Sequence, residues 1–176
     1  TFDGPIWQAL PQAPLDGMVL DIGAHVGYHA LALAATYPTA HVTAFEPNTA
    51  NLIRLRANLE LNLALAQRVA VVELALGDSN GALLFSSSDN VDDETSSGGY
   101  LHGVTPPLEP EKYARSGFRT TTVQVRRLDD FVVERGWGRV ALMKIDVEGA
   151  EHLVLRGAEG ILRDHRPFLC IEVHSV

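Results

Sequence analysis

The sequence predicts an open α/β fold, a mainly parallel sheet with helices on both faces. Three observations carry this. Strand-length apolar runs alternate with helix-length periodic segments along the chain. The first run, Met18-Val19-Leu20-Asp21-Ile22, suits a buried parallel strand, and a glycine turn and helix-forming residues follow it at once. With 46% hydrophobic content, 176 residues suffice for one domain with its own core. No internal repeat or second domain is visible. Residues 1–17, with Pro5, Pro11 and Pro14, read as an irregular segment from which Phe2, Ile6 and Trp7 pack on a domain at 18–176.

The elements follow in order. The first strand is Met18 to Ile22, and the first helix runs from Tyr28 to Thr36, ending before Pro38. His41 to Phe45 is the second strand. Asn48 then caps a helix in which Leu52, Leu55, Leu59 and Leu63 recur at helical spacing, with Asn51, Arg54, Asn58 and Asn62 opposite. That leucine stripe reads as core. Arg68 to Leu76 is a third strand, closed by Gly77-Asp78. Ala82 to Phe85 and Thr120 to Arg126 read as a hairpin beside the main sheet. The polar residues 86–118 between them form a long loop, expected to cover the acceptor side, with Tyr100, His102 and Tyr113 as candidates for ligand contact. A plain solvated loop is the competing reading. Leu128 to Arg135 is a short helix and Val140 to Ile145 the fourth parallel strand. A helix over Ala150 to Arg163 and a fifth strand, Phe168 to Val173, complete the pattern.

The glycine turn sets the ligand class. A dinucleotide fingerprint needs Gly-x-Gly-x-x-Gly, but Ala24-His25-Val26 separates Gly23 from Gly27. No Lys-Ser or Lys-Thr follows, so this is not a P-loop. Asp21 would repel a phosphate and attract a cationic amino group. A ligand with an α-amino group, a sulfonium and a nucleoside fits better, and the turn resembles the S-adenosylmethionine (AdoMet) motif of Rossmann-like methyltransferases. A plain strand-to-helix turn is the alternative.

Composition narrows the partners. A formal net charge of −8 with no basic stripe argues against nucleic acid. No apolar run is long enough to span a bilayer, and no signal peptide opens the chain. Cys170 is a lone cysteine, so no internal disulfide forms; a cytoplasmic location is expected. The start at Thr1 reads as an excerpt of a longer protein. Oligomeric state is not legible.

Asp21, Glu46, Asp78, Asp146 and Glu172 each end a predicted strand, at the edge where open α/β sheets keep their site. Glu46 stands where a carboxylate accepts both hydrogen bonds of a ribose diol. Asp78 can accept from an adenine amino group or simply close an Asx turn. Asp21 can orient the amino-acid end of the ligand. Asp146 and Glu148 alternate along an extended segment and should point the same way. Glu151 reads as a carboxylate favoured by a helix N-terminus, and Lys144 as a partner for one of the acids or a snorkelling edge residue. His25 receives no chemical role.

Three blocks, Val19 to Gly27, Phe45-Glu46-Pro47-Asn48 and Ala75-Leu76-Gly77-Asp78, resemble consecutive AdoMet motifs. Lys144-Ile145-Asp146-Val147-Glu148-Gly149-Ala150-Glu151, the Val154-Leu155-Arg156-Gly157-Ala158 run, Pro167 and Cys170-Ile171-Glu172-Val173-His174 resemble the FkbM family of methyltransferases. That resemblance implies a Rossmann-like class I fold and O-methylation of a hydroxyl on a sugar or natural-product small molecule. The chain stops before the final antiparallel strand pair usual in that class.

The cofactor set expected is therefore Asp21, Gly23, Gly27, Glu46, Pro47, Asn48, Gly77, Asp78 and Asp146 around AdoMet, with Asp146, Glu148 and His174 as catalytic residues and no metal assigned. Three rivals stand beside it: a nicotinamide-dependent oxidoreductase, a non-catalytic AdoMet-binding module, and a metal-assisted enzyme using some of Asp146, Glu148, Glu172 and His174.

Overall fold

The computed structural model describes residues 10–88, 99–103 and 118–174. Five parallel strands form the main sheet: β1 (Met18–Ile22), β2 (His41–Phe45), β3 (Val69–Val72), β8 (Val140–Ile145) and β9 (Phe168–Ile171), in the order β3-β2-β1-β8-β9. β1 lies centrally, pairing with β2 on one side and β8 on the other. The strand order reverses there, which is where such sheets bind ligands. The smaller second sheet orders β4 (Ala75–Leu76), β7 (Phe118–Arg126), β5 (Gly81–Ser88) and β6 (Tyr100–Leu101). Its centre is the predicted hairpin, β5 antiparallel to β7.

Period-two alternation sorts the main sheet into two faces. Val19, Val42, Ala44 and Leu142 pack with Ala30, Leu33 and Ala34 of α1 (Tyr28–Thr36) and Leu55 of α2 (Thr49–Glu60). Leu20, Ile22, Met143 and Ile145 pack on the other side with Phe131 of α4 (Leu128–Glu134), Val154 of α5 (Glu151–Arg156) and Ile161 of α6 (Glu159–Asp164). Asp21 and Lys144 share a register position on the α1 face, so two charges are buried side by side in the two central strands. Among the described residues, no helix is long and apolar enough to cross a membrane.

Several elements differ from expectation. The run 68–76 is not one strand. Leu74 N–H bonds the Val72 carbonyl in a tight turn, and the chain leaves β3 to form β4 against β7. Exposed Glu73, paired with Arg56, marks the break. The leucine stripe also ends early. Leu52 and Leu55 are buried and Leu59 half-buried, but α2 stops at Glu60, so Leu63 opens α3 (Leu63–Ala66) and is 68% exposed. The expected helix 150–163 splits into α5 and α6 at Gly157. A Cβ there would lie 1.9 Å from the Gly77 carbonyl oxygen, so close packing on β4 requires glycine. Asp129 accepts from Gly160 N–H and Ile161 N–H at 2.8 and 2.9 Å and so caps α6. The fifth strand ends at Ile171 rather than Val173. Of the predicted loop, 86–88 extend β5, 100–101 form β6 and 118 opens β7. Residues 1–9, with Phe2, Ile6 and Trp7, and the loop residues 89–98 and 104–117, with Tyr113, lie outside the described residues.

Candidate active site

β1 ends in the glycine turn. Gly23 and Gly27 have φ of 80° and 83°, in the region that favours glycine. A Cβ on Gly23 would sit 1.8 Å from the Asp146 carbonyl oxygen, so the turn presses directly on the end of β8. Gly23 N–H and Ala24 N–H both donate to the Phe45 carbonyl at 3.0 Å, which fixes the turn on the end of β2.

Glu46 follows β2 and is 5% exposed. One oxygen accepts from His25 N–H at 2.8 Å, the other from Asn48 N–H at 2.8 Å and the Asn51 amide at 3.4 Å. Burial pushes its pKa up to about 7, against the pull of these bonds. An ionised carboxylate has about four acceptor positions and these bonds take three, so one remains for a ligand. Asn48 caps α2 as predicted, accepting from Ala50 N–H at 2.9 Å.

The other group gathers where β8 and β9 end. Lys144, 5% exposed, reaches Asp146 Oδ2 at 3.2 Å, Asp21 Oδ1 at 3.4 Å and the Gly23 carbonyl at 3.5 Å. Burial raises the Asp21 pKa against the pull of Lys144. Burial opposes the charge on Lys144 too, but the two carboxylates outweigh it and raise its pKa. Strand geometry stops at Ile145; a turn follows in which Glu148 and Gly149 have φ of 53° and 96°. Asp146 and Glu148 therefore do not alternate along an extended segment, yet the turn still aims both at His174. The His174 Nε2 lies 3.6 Å from Glu148 Oε2 and 3.9 Å from Asp146 Oδ1, while Nδ1 is 3.0 Å from Glu151 Oε1. Glu151 also accepts from Gly149 N–H at 3.0 Å, and its pKa is lowered because these bonds outweigh burial. Burial opposes protonation of His174, but the Glu151 bond and the surrounding carboxylates prevail and raise its pKa. Burial pushes Glu148 up to about 6, with His174 pulling the other way. One ligand atom each from Asp146, Glu148 and His174 lie within 4.8 Å of one another, a spacing that a divalent ion could draw together.

A cavity of about 260 Å³ joins the two groups. Gly23, Glu46 and Asn51 line it beside Asp146 and Glu148, and Leu74, Ala75, Leu76, Phe85 and Leu101 supply an apolar wall from the second sheet's side. The cavity thus brings together a buried carboxylate beside a glycine turn, a histidine held by a second carboxylate, and an apolar wall.

The comparisons agree with this architecture. A family model described as the methyltransferase FkbM domain matches residues 21–176. This chain belongs to the FkbM methyltransferase family. The 2-O-methyltransferase NoeI of Sinorhizobium fredii is 30% identical over 86% of this chain and 61% of its own length. The 31-O-demethyl-FK506 methyltransferase FkbM of Streptomyces tacrolimicus is 31% identical over 90% of this chain and 66% of its own. The AMB antimetabolite synthetase AmbE of Pseudomonas aeruginosa is 30% identical over 92% of this chain, which corresponds to 8% of that protein. This chain thus spans under two-thirds of each of these relatives. The crystal structure of a methyltransferase FkbM from Methylobacillus flagellatus shares the fold, with a TM-score of 0.61 at 21% identity, over 93% of this chain and 34% of that one.

Within this FkbM-family domain, Gly23, Glu46, Pro47, Asp146 and Glu148 line the cavity. Asp21, Gly27, Asn48, Gly77, Asp78 and His174 are not part of its wall. Asp21 lies beneath the turn on Lys144, Gly27 packs on Leu55 and Gly77 packs against Gly157. Asp78 is carried past the cavity by the turn into the second sheet, and its carboxylate lies 4.0 Å from Arg156. Leu74, Ala75 and Leu76 line the cavity in its place. Glu172 points outward, its side chain 55% exposed and 4.0 Å from His174 Nε2. Tyr100 and His102 stack on each other at 5.2 Å and do not line the cavity, whereas their neighbour Leu101 does. Three participants escaped the sequence reading: Glu151 as the partner of His174, Asn51 at Glu46, and the His25 backbone. For Glu151 the signal was present in its place one helical turn after Glu148.

Proposed function

We propose that this domain is an AdoMet-dependent O-methyltransferase whose acceptor is a hydroxyl on a sugar or natural-product small molecule, not a nucleic acid or a membrane. The observation that carries the reading is His174, with Nδ1 on Glu151 and Nε2 facing the cavity-lining carboxylates. Glu151 holds the imidazole so that Nε2 is the acceptor of a proton, as in any histidine base oriented by a carboxylate. Residues at the other end fit the cofactor: Glu46 keeps an acceptor position for a ribose hydroxyl, and the Gly23 turn lets backbone approach a ligand. Bound AdoMet supplies a methyl group on a sulfonium, already activated toward attack. His174 removes the hydroxyl proton, Asp146 and Glu148 balance the imidazolium that results, and the cavity walls align the acceptor oxygen. The names of the relatives NoeI and FkbM, both O-methyltransferases by description, support a hydroxyl acceptor.

Label transfer tests this. Incubation with methyl-labelled AdoMet and a panel of hydroxylated sugars and polyketides is expected to label at least one acceptor. AdoMet binding without transfer to any acceptor favours a binding module. The Asp146, Glu148 and His174 spacing supports a second reading, metal-assisted transfer. Loss of turnover in EDTA, restored by a divalent ion, would select it.

A further inference from the structure

Lys144 is a full charge in β8, a strand whose six residues are all buried. Its neighbours Val140, Ala141, Leu142, Met143 and Ile145 are all buried and apolar. Burying an ammonium there costs solvation that a well-packed apolar side chain would not, so a buried ion pair is weak evidence of a stabilising role. The geometry points elsewhere. An ammonium has three N–H donors, and Lys144 has three acceptors around it, each on a different part of the site. The Gly23 carbonyl belongs to the glycine turn, Asp21 Oδ1 to the central strand beneath it, and Asp146 Oδ2 to the cavity wall. Asp21 is fully buried, and the Lys144 ammonium at 3.4 Å from Oδ1 compensates its charge.

The consequence falls on Asp146. Its Oδ2 is drawn inward by Lys144, which leaves Oδ1 toward His174 Nε2 at 3.9 Å. Its backbone is held as well, since Asp146 N–H donates to the Ile22 carbonyl at 3.0 Å and the Asp146 carbonyl oxygen lies against Gly23. With the ammonium removed, the backbone stays fixed while the carboxylate is free to rotate.

We infer that Lys144 is a positioning residue, which orients the Asp146 carboxylate between the cofactor turn and His174 by gripping one of its two oxygens. This rests on the reading of Asp146 as facing the cofactor. Lys144 also lines the cavity beside Asp146, but with its ammonium on Asp21, Asp146 and the Gly23 carbonyl it acts through Asp146.

A double-mutant cycle tests it, with S-adenosylhomocysteine as the calorimetric probe. Lys144→Met is expected to weaken binding by about tenfold or more, within the roughly 100-fold that misplacing one group can cost. In an Asp146→Asn background the same substitution should change binding by less than about threefold, because the carboxylate it orients is gone. With an acceptor identified by label transfer, the KM for AdoMet should rise in Lys144→Met while the acceptor KM stays unchanged. Should Lys144→Met fail to fold, Lys144→Gln runs the same cycle with a neutral side chain that keeps N–H donors for the buried oxygens. Equal losses in both backgrounds, tracking a fall in melting temperature, would make Lys144 merely structural and overturn the inference. A wild-type protein that binds no S-adenosylhomocysteine would instead overturn the proposed function.

Discussion

The two ends of the cavity are both built on carboxylates, but they hold them differently. At the β2 end a single acid, Glu46, is fixed by backbone amides of His25 and Asn48 and by one side chain. At the β8 end Asp146, Glu148 and Glu151 surround His174 and Lys144, and side chain meets side chain. Backbone amides cannot change charge or move far. Such an end suits a group common to every turnover, the ribose of a cofactor. Side chains that share protons suit the step in which one is transferred. Under the proposed function, the difference separates cofactor binding at one end from chemistry at the other.

Substitutions at each end should separate the two functions. The largest effect is expected for His174→Ala, a fall in kcat of about 10²–10⁴-fold with S-adenosylhomocysteine affinity nearly unchanged. Steady-state kinetics beside calorimetry check this; equal losses in both would merge the two ends. Glu46→Ala should do the opposite, weakening cofactor binding by roughly 1.5–3 kcal/mol, the range for hydrogen bonds to a charged group. At saturating AdoMet its kcat should be close to wild type.

The pH profile sharpens the contrast. A base must be neutral to accept a proton, so under the proposed function kcat should fall as pH drops through the raised pKa of His174. Glu148→Gln removes a negative charge 3.6 Å from Nε2, so the imidazolium is less favoured. The acid limb of kcat should then move to lower pH, by about one unit. An unmoved limb would uncouple Glu148 from His174. Glu46 gives a smaller effect, on stability. Its folded pKa of about 7 exceeds its ordinary 4.5, so the folded state holds the proton more tightly. Its contribution is full below pH 4.5 and is lost as pH rises through 7. The ligand-free protein should lose melting temperature across that window, and Glu46→Gln should flatten the loss.

The same contrast explains what the sequence made legible. β1, α1, β2 and β8 stand at the predicted boundaries, because local hydrophobic period and caps determine them. The place of Glu46 at the end of β2 was legible for the same reason, but its bonds from His25 and Asn51 were not. The place of Asp78 off the cavity wall was not legible, because it follows from a tertiary event, the departure of the chain from β3 into a second sheet after Val72. The split at Gly157 depends on the approach of Gly77, far away in sequence. Glu151 was read from its helix position alone, because its partner His174 arrives only when β9 pairs with β8. Lys144 is similar, since its three acceptors converge only through the β1–β8 register.

The division of labour requires first that the β2 end recognise an AdoMet-type nucleoside. A competition titration by calorimetry, S-adenosylhomocysteine against NAD on the wild-type protein, measures this directly. The structure predicts saturable binding of S-adenosylhomocysteine that NAD does not displace. NAD binding more tightly, or no binding of S-adenosylhomocysteine at all, would contradict it.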